Sequence, residues 1–533
     1  ELAGGRRGCW IIPYSLLSTE DTFELLVKIR PDLIVFDEAH HLKNRNSART
    51  KRTLSYWRKY RPRVVALSGT MTAKSLKDYA HLLMMCLTDK SPLPMEAQIV
   101  EDWANVLDSE QAQEQYHTRT TSTGPLRPLI NWSNRNFPKT PLAFDVMGFR
   151  RAFQNRLLTT PGVVSSPPDA LGTSIVIENQ KADQLKHEGG AKLLELQDKL
   201  EDSWTTPSGD ELEHAMLVWK WNNEFSAGFY NSLVWPDPGV LAERLSISVD
   251  QASELLIRSR EHHAALQLYH KQLRAWFSSR PHKPGLDTPM LVGKEMSLRG
   301  PEKVGKELYD AWVFAREHDF EGRVERDSIP VRVCDYKLQA GIATAKADPA
   351  KEGILWYYHQ EIGTWLFELA QKAGLDVVHC PAGKAANEFL TKPGADARCR
   401  GKWLVASLPA HGTGKNLQFL TNQIFVEMPR TEQQAQQSIG RTHRKGQQAD
   451  QVTITTLVSN TVDEMALAAL LNDAIYVFET MQSQRKLLVA TWNTMPTIYG
   501  SSVLQRAGIQ ATILNARQQQ LLGEKFNKVK VEG

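Results

Sequence analysis

The stretch Val35-Phe36-Asp37-Glu38-Ala39-His40 decides how this chain is read. The apolar run Leu33-Ile34-Val35-Phe36 has the length and composition of a buried parallel strand, and it runs straight into two adjacent carboxylates. In a doubly wound sheet, ligands bind beyond the carboxyl ends of the strands, so this pair stands where a magnesium–phosphate complex can sit. Asp37 is the residue expected to hold Mg2+, directly or through water, because hard cations take oxygen ligands. Glu38, one residue on, points differently and can polarise the water attacking a γ-phosphate. His40 is left to link this turn to a facing lobe. The plainer alternative, a strand ending in a solvated acidic turn, is open to the same six residues.

Working outward, short apolar runs recur on both sides. Trp10-Ile11-Ile12 and Arg63-Val64-Val65-Ala66-Leu67 read as further strands, and a helix is expected from Ser75 to about Cys86. Residues 95–326 change character. Tryptophans cluster (Trp204, Trp219, Trp221, Trp235), prolines punctuate, and residues 191–200 and 249–277 carry amphipathic helical patterns, with a loop near Ser165-Ser166-Pro167-Pro168. A second strand–helix alternation begins near Gly353. Its strands are expected at 354–358, 377–378, 403–407, 424–426 and 452–457, with helices at 363–373 and 432–439. A long helix follows, with Thr461 as cap and Glu464 reaching back. The fold class expected is α/β: two RecA-like doubly wound lobes with a largely helical insertion between them. The divisions are 1–94 for the end of the first lobe, 95–326 for the insertion, 327–352 for a linker, 353–496 for the second lobe and 497–533 for a tail.

Two further clusters bear on the acidic turn. Leu67-Ser68-Gly69-Thr70 places small hydroxyls after a strand, where they can hydrogen-bond the carboxylate loop. Gln437-Ser438-Ile439-Gly440-Arg441-Thr442-His443-Arg444 sets two arginines three apart, expected on one helical face. Two guanidinium forks can reach β- and γ-phosphates across a cleft and stabilise phosphoryl-transfer charge.

In this order the clusters resemble superfamily 2 helicase-like ATPases of the Swi/Snf type. Asp37-Glu38-Ala39-His40 resembles motif II, the DEAH box, and Ser68-Gly69-Thr70 resembles motif III. Residues 354–359 resemble motif IV, 407–417 motif V, and 437–447 motif VI; residues 10–17 and His41-Leu42-Lys43-Asn44 resemble flanking segments. The matches cover about two fifths of the chain, most of 8–90 and 350–470. The resemblance implies an ATP- and Mg2+-dependent translocase on double-stranded DNA, in replication, recombination or repair or in a phage or mobile element. It implies catalytic roles for Glu38, Arg441 and Arg444, and metal binding by Asp37. Coupling between lobes falls to His40, Ser68, Thr70 and Gln437, and nucleotide contact to Gly440 and Gly414. DNA contact falls to Tyr14, Ser15, Lys43, Asn44, Gly412 and Thr413. Two rivals stand beside it: a DNA-binding clamp or scaffold without catalysis, and a strand-separating helicase.

The pattern departs from the family at one place. Nothing ahead of Asp37 has the form of a phosphate-binding loop, and Gly412-Thr413-Gly414-Lys415-Asn416 has Pro409 and Asn416 where a glycine and a hydroxyl belong. A missing N-terminal segment or a second polypeptide is expected to supply that loop. The opening Glu1-Leu2-Ala3-Gly4-Gly5, without an initiator Met or signal-peptide layout, favours a partial chain.

Composition limits the remaining classes. A hydrophobic share of 41% over 533 residues allows sizeable cores and argues against wholesale disorder. No run approaches the roughly 18 apolar residues of a membrane span, so no membrane partner is expected. Five scattered cysteines without a C-x-x-C pair argue against a disulfide framework or zinc site and for a reducing intracellular setting, and the resemblance implies a cytoplasmic, DNA-associated one. The net charge of +4 leaves nucleic-acid binding open, since a groove can be basic while the whole is near neutral. The tryptophans are expected mostly in core, with base stacking as the alternative. His262-His263 reads as a solvated face, and residues 58–63 as a basic surface helix end and turn.

Overall fold

The computed structural model describes residues 8–69, 75–108, 124–165, 172–279, 286, 288–481, 483 and 485–492. Strands β1 (Leu33–Phe36) and β2 (Arg63–Ala66) pair in parallel and form the first lobe's sheet among the described residues. The strands that follow are β3 (Ser174–Lys181), β4 (Phe229–Val234), β5 (Asp327–Arg332), β6 (Gly353–Tyr357), β7 (Val377–Cys380), β8 (Trp403–Ser407), β9 (Asn422–Phe425), β10 (Gln451–Val458) and β11 (Thr491–Trp492). Seven of them build one parallel sheet in the order β11-β3-β10-β9-β6-β8-β7.

Period-2 alternation sends successive side chains of these strands to opposite faces, and both faces are apolar. Ile354, Trp356, Leu404 and Ala406 are buried in one core, while Leu355, Tyr357, Trp403 and Val405 are buried in another. The second lobe is therefore doubly wound, as the apolar runs of its sequence require. The helices Gln360–Lys372 and Glu432–Ile439 lie where the sequence patterns place them.

The stretch 95–326 is divided differently from the sequence reading. The helices Ala97–Leu107, Arg127–Asn136 and Val146–Thr159 pack on the first lobe: Trp103, Leu107, Leu129 and Phe153 share a core with Phe36, Val64 and Leu82. Strand β3 pairs with β10 along its whole length, so it belongs to the second lobe. Its apolar run is only Ile175-Val176-Ile177, after which Glu178, Asn179 and Gln180 hide the strand in a polar pattern. What protrudes is a four-helix module (Pro238–Leu245, Val249–Ser279, Pro289–Arg299, Lys306–Glu317), entered through β4 and left through β5. These two strands pair antiparallel as a stem. The segment 327–352, expected as a linker, is β5 and the helix Tyr336–Ala347.

Trp10-Ile11-Ile12 is not a strand: it runs without a pairing partner among the described residues, and Ile11 is 94% exposed. The sheet of β1 and β2 carries an open apolar face. β1 and β2 bury Phe36 and Val64 on one side, while Leu33, Val35 and Val65 on the other are 47%, 53% and 41% exposed. The long helix Thr461–Met481 is capped one residue earlier than expected, by the Asn460 side chain accepting from the Asp463 amide at 3.3 Å. Ser165 ends a described loop; its neighbours Ser166, Pro167 and Pro168, and the tail from 497, lie outside the described residues. Among the described residues no helix is long and apolar enough to cross a membrane.

Candidate functional site

The acidic turn is built by two backbone hydrogen bonds that fasten it to the end of β2. The Leu67 amide donates to the Phe36 carbonyl and the Ala39 amide to the Leu67 carbonyl, both at 2.8 Å. Between them Glu38 takes φ +52°, the left-handed region that costs a non-glycine residue about 1–2 kcal/mol. Strain of this kind persists only where surrounding structure enforces it. It turns Glu38 off the line of the strand while Ala39 behind it is fully buried. Asp37 accepts the Glu38 amide on Oδ1 at 3.1 Å.

His40 sits beneath this turn, its Nδ1 3.2 Å from both Glu38 Oε2 and Ser68 Oγ. Burial, with His41 and Lys43 nearby, lowers its pKa to about 4, so the ring is neutral; the Ser68 contact is a hydrogen bond and the Glu38 contact a close polar approach. The sequence reading gave His40 a partner in the facing lobe; its partners are Glu38 and Ser68 of its own lobe. The link between the carboxylate turn and the hydroxyl loop is present. Thr70 lies outside the described residues.

Tyr14 is held from the opposite side. Its hydroxyl donates to the Asp37 carbonyl at 2.7 Å, and burial, with Asp37 and Glu38 close by, raises its pKa to about 12. Tyr14 thus braces the acidic turn, a different use from the DNA contact expected. Ser15, Lys43 and Asn44 are exposed nearby.

In the second lobe, Thr431 caps the helix Glu432–Ile439, and the chain leaves it at Gly440. Arg441 and Arg444 therefore lie in the turns after the helix and not on a helical face, as expected from their spacing. Tertiary contacts align them instead. Arg441 donates from Nε to the Gln437 carbonyl at 2.8 Å and from a terminal nitrogen to the Lys415 carbonyl at 2.9 Å. Arg444 reaches the same Lys415 carbonyl at 3.4 Å and the Asn416 side chain. Both guanidiniums converge on the loop after β8. Burial and the neighbouring Arg444 lower the pKa of Arg441, while the Glu38 carboxylate of the first lobe acts in the opposite sense.

The loop carrying Lys415 is not shaped as a phosphate cradle. The Lys415 amine donates to Asn387, and Lys415 itself is only 7% exposed. Gly412 is buried and closely packed: a Cβ there would lie 2.6 Å from the Leu408 carbonyl oxygen. Thr413 and Gly414 are exposed, the latter at φ +68°.

Sequence reasoning missed three residues that complete the site. Arg485, 1% exposed, is paired with the fully buried Glu432 through two hydrogen bonds. It also donates to the Gly69 carbonyl at 3.4 Å. Lys486 donates to the His443 carbonyl at 2.9 Å, and burial, with Arg441, Arg485 and Arg444 around it, lowers its pKa to about 8. Arg485, Lys486 and Glu432 carry no local signal, since an Arg-Lys pair in a polar stretch looks like any surface.

The donor set suits Mg2+, which is held by one or two carboxylates together with substrate phosphate oxygens and water. Asp37 is exposed at the strand end with Glu38 beside it. Among the described residues no cluster of three or more His, Cys, Asp or Glu could hold a metal without a substrate. The notable residues of the stretch 95–326 are used in the protein's own packing. His263 is 2.9 Å from Asp210, which also binds Arg326, so it is not on a solvated face. Trp221 is buried, and Trp235 lies under Arg260 and Arg326. Residues 58–62 are a helix end and turn, with Arg61 over the Trp57 ring, and Arg63 opens β2.

No protein-family model matches the chain, and no curated protein resembles it significantly. Among solved structures it is similar to S. cerevisiae Dbp5 bound to RNA and ADP BeF3, at 11% identity and TM-score 0.24 over 35% of this chain and 42% of that one. It is also similar to the C-terminal part of the Fun30 ATPase domain, at 11% identity and TM-score 0.27 over 59% and 99%. A third is the E. coli DEAD-box protein SrmB bound to regulator of ribonuclease activity A, at 16% identity and TM-score 0.20 over 30% and 84%. At TM-scores this low the likeness adds no weight, and the functional reading rests on the geometry above.

Proposed function

We propose that this chain is the catalytic part of an ATP-dependent motor that tracks along double-stranded DNA. The observation that carries the reading is the buried contact between the lobes: Arg485, paired with Glu432 at the head of the helix that leads to Arg441 and Arg444, reaches the Gly69 carbonyl beside the Ser68–His40 hydrogen bond at the acidic turn. A carboxylate turn and a guanidinium pair facing one another are what in-line attack on a γ-phosphate requires. Glu38 orients the attacking water and accepts its proton. Arg441 and Arg444 neutralise charge on the phosphoryl oxygens as the bond to the leaving diphosphate breaks. Asp37 would hold Mg2+, whose charge would offset that of the phosphates. His40, neutral between Glu38 and Ser68, fixes the carboxylate in place and couples it to the loop after β2. Duplex DNA would lie along Lys43, Asn44 and Thr413, held mainly at its phosphates.

The phosphate loop belongs to a segment or second polypeptide that completes the first lobe. The open face of Leu33, Val35 and Val65 supports this, since an apolar sheet face is normally covered. The same open face supports a second reading, a DNA clamp whose lobes no longer hydrolyse ATP.

The test is ATP turnover with and without duplex DNA at low salt, where phosphate contacts are strongest. In a preparation that turns over, Glu38→Gln is expected to lower the rate by at least about 100-fold while leaving DNA binding intact. Unchanged turnover in that variant would remove Glu38 from the mechanism. DNA binding with no turnover under any complementation would leave the clamp.

A further inference from the structure

Arg485 lies outside every motif that carries the functional reading, yet it touches one of them and the helix that leads into another. Its guanidinium is 1% exposed and grips Glu432, 0% exposed, at 2.7 and 2.5 Å. Glu432 is the first residue of the helix that leads to Gln437, Arg441 and Arg444. A remaining nitrogen of Arg485 reaches the carbonyl of Gly69, in the loop whose Ser68 hydrogen-bonds His40. The next residue fastens the far end of the same helix. The Lys486 amide donates to the Gln436 side chain at 2.7 Å, and its amine to the His443 carbonyl.

We infer that Arg485 is a positioning residue, which sets the register between the loop after β2 and the helix that leads to Arg441 and Arg444 through one buried ion pair. The role rests on the motor reading above, but the strut itself exists whether or not the chain hydrolyses ATP. A guanidinium is required because one planar fork must serve a bidentate carboxylate and a third acceptor together. A lysine at 485 would keep the charge and lose that geometry.

The difficulty in testing a buried ion pair is that removing one partner strands the other and destabilises the fold. Three variants separate stability from positioning: Arg485→Lys, Arg485→Met, and Arg485→Met combined with Glu432→Gln. Each is measured for thermal stability, for kcat and KM for ATP in the preparation that turns over with DNA, and for amide exchange of peptides spanning 63–69 and 432–444. The double variant leaves no stranded charge, so its melting temperature is expected to return toward wild type. Its kcat is expected to stay lowered by about 100-fold, the effect of displacing a catalytic group by an ångström, with KM changed little. Exchange in both peptides is expected to be about tenfold faster, as the loss of one charge-assisted hydrogen bond implies. Arg485→Lys is expected to be more stable than Arg485→Met and still slow in kcat. A double variant with wild-type kcat and wild-type exchange would overturn the proposal and leave the pair as packing alone. If the wild-type protein never hydrolyses ATP, the motor reading falls, and the exchange measurement alone decides whether the strut exists.

Discussion

Replacing Asp108 by Asn should stabilise this protein at neutral and alkaline pH. Asp108 ends the helix Ala97–Leu107, is 2% exposed, and accepts the Leu76 amide at 2.8 Å. The Tyr476 hydroxyl of the long helix Thr461–Met481 is 3.4 Å away, so this carboxyl lies where that helix meets the first lobe. Burial is the dominant influence on it. Its pKa rises from 3.8 to about 7, against the hydrogen bonds from Ser75 and Leu76 that favour the charged form. Between those two values the folded protein keeps a proton that the unfolded chain has released. The contribution of Asp108 to stability is therefore intact below the unfolded pKa and falls as pH rises toward 7. A shift of about 3 units at 1.36 kcal/mol each puts the full cost at about 4 kcal/mol. Asparagine keeps the acceptor for Leu76 and carries no charge. The assay is urea denaturation of both proteins near pH 4 and near pH 8, scored as the difference between them so that other titrating groups cancel. Wild type and variant should nearly coincide in acid and separate in alkali, with the variant more stable. A constant difference across pH, or a variant less stable near pH 8, would show that the Asp108 carboxylate is compensated in the folded state.

Arg441→Lys keeps a cation near Glu38 but loses the fork that bridges Gln437 and Lys415. In a preparation that turns over, kcat should fall by about 1,000-fold, measured in DNA-stimulated steady-state assays. His359 offers a second pH test. Burial disfavours its charged form, yet Glu427 at 2.6 Å outweighs burial and raises its pKa above 6.5. The stabilising contribution is complete below pH 6.5 and is lost as pH rises through the folded value. Glu427→Gln should drop the His359 midpoint below 6.5 in an NMR titration; an unmoved midpoint would mean that another group holds the proton. Arg150→Met should cost about 3–5 kcal/mol, because it removes the buried cation paired with Glu479 at 2.6 Å and the donor to the Leu107 and Asp108 carbonyls. A combined Arg150→Met and Glu479→Leu variant should recover most of that loss in the same denaturation assay.

The amino-acid sequence alone determined the strands β6 to β10 of the second lobe and the place of the acidic turn at a strand end. Strands such as Trp403–Ser407 are apolar on both faces, so their signal is a continuous run that needs no knowledge of neighbours. The Asp37–Glu38 pair follows such a run directly, and adjacency in the chain is adjacency in space. Other assignments failed where the deciding partner is distant. Trp10-Ile11-Ile12 has a strand's composition but no neighbouring strand, and β3 has a polar half yet is a strand because β10 pairs with it. The spacing of Arg441 and Arg444 suggested a helical face, whereas Gly440 ends the helix and the Lys415 carbonyl aligns the pair. His40 and Tyr14 were given outward roles because nothing local showed Ser68, Glu38 and the Asp37 carbonyl waiting for them. Arg485 is the extreme case: its partners lie 53 and 416 residues away in the chain. Local pattern encodes which segments can bury a face; only the packed chain decides which polar groups meet, because a buried guanidinium takes whatever acceptor the fold brings to it.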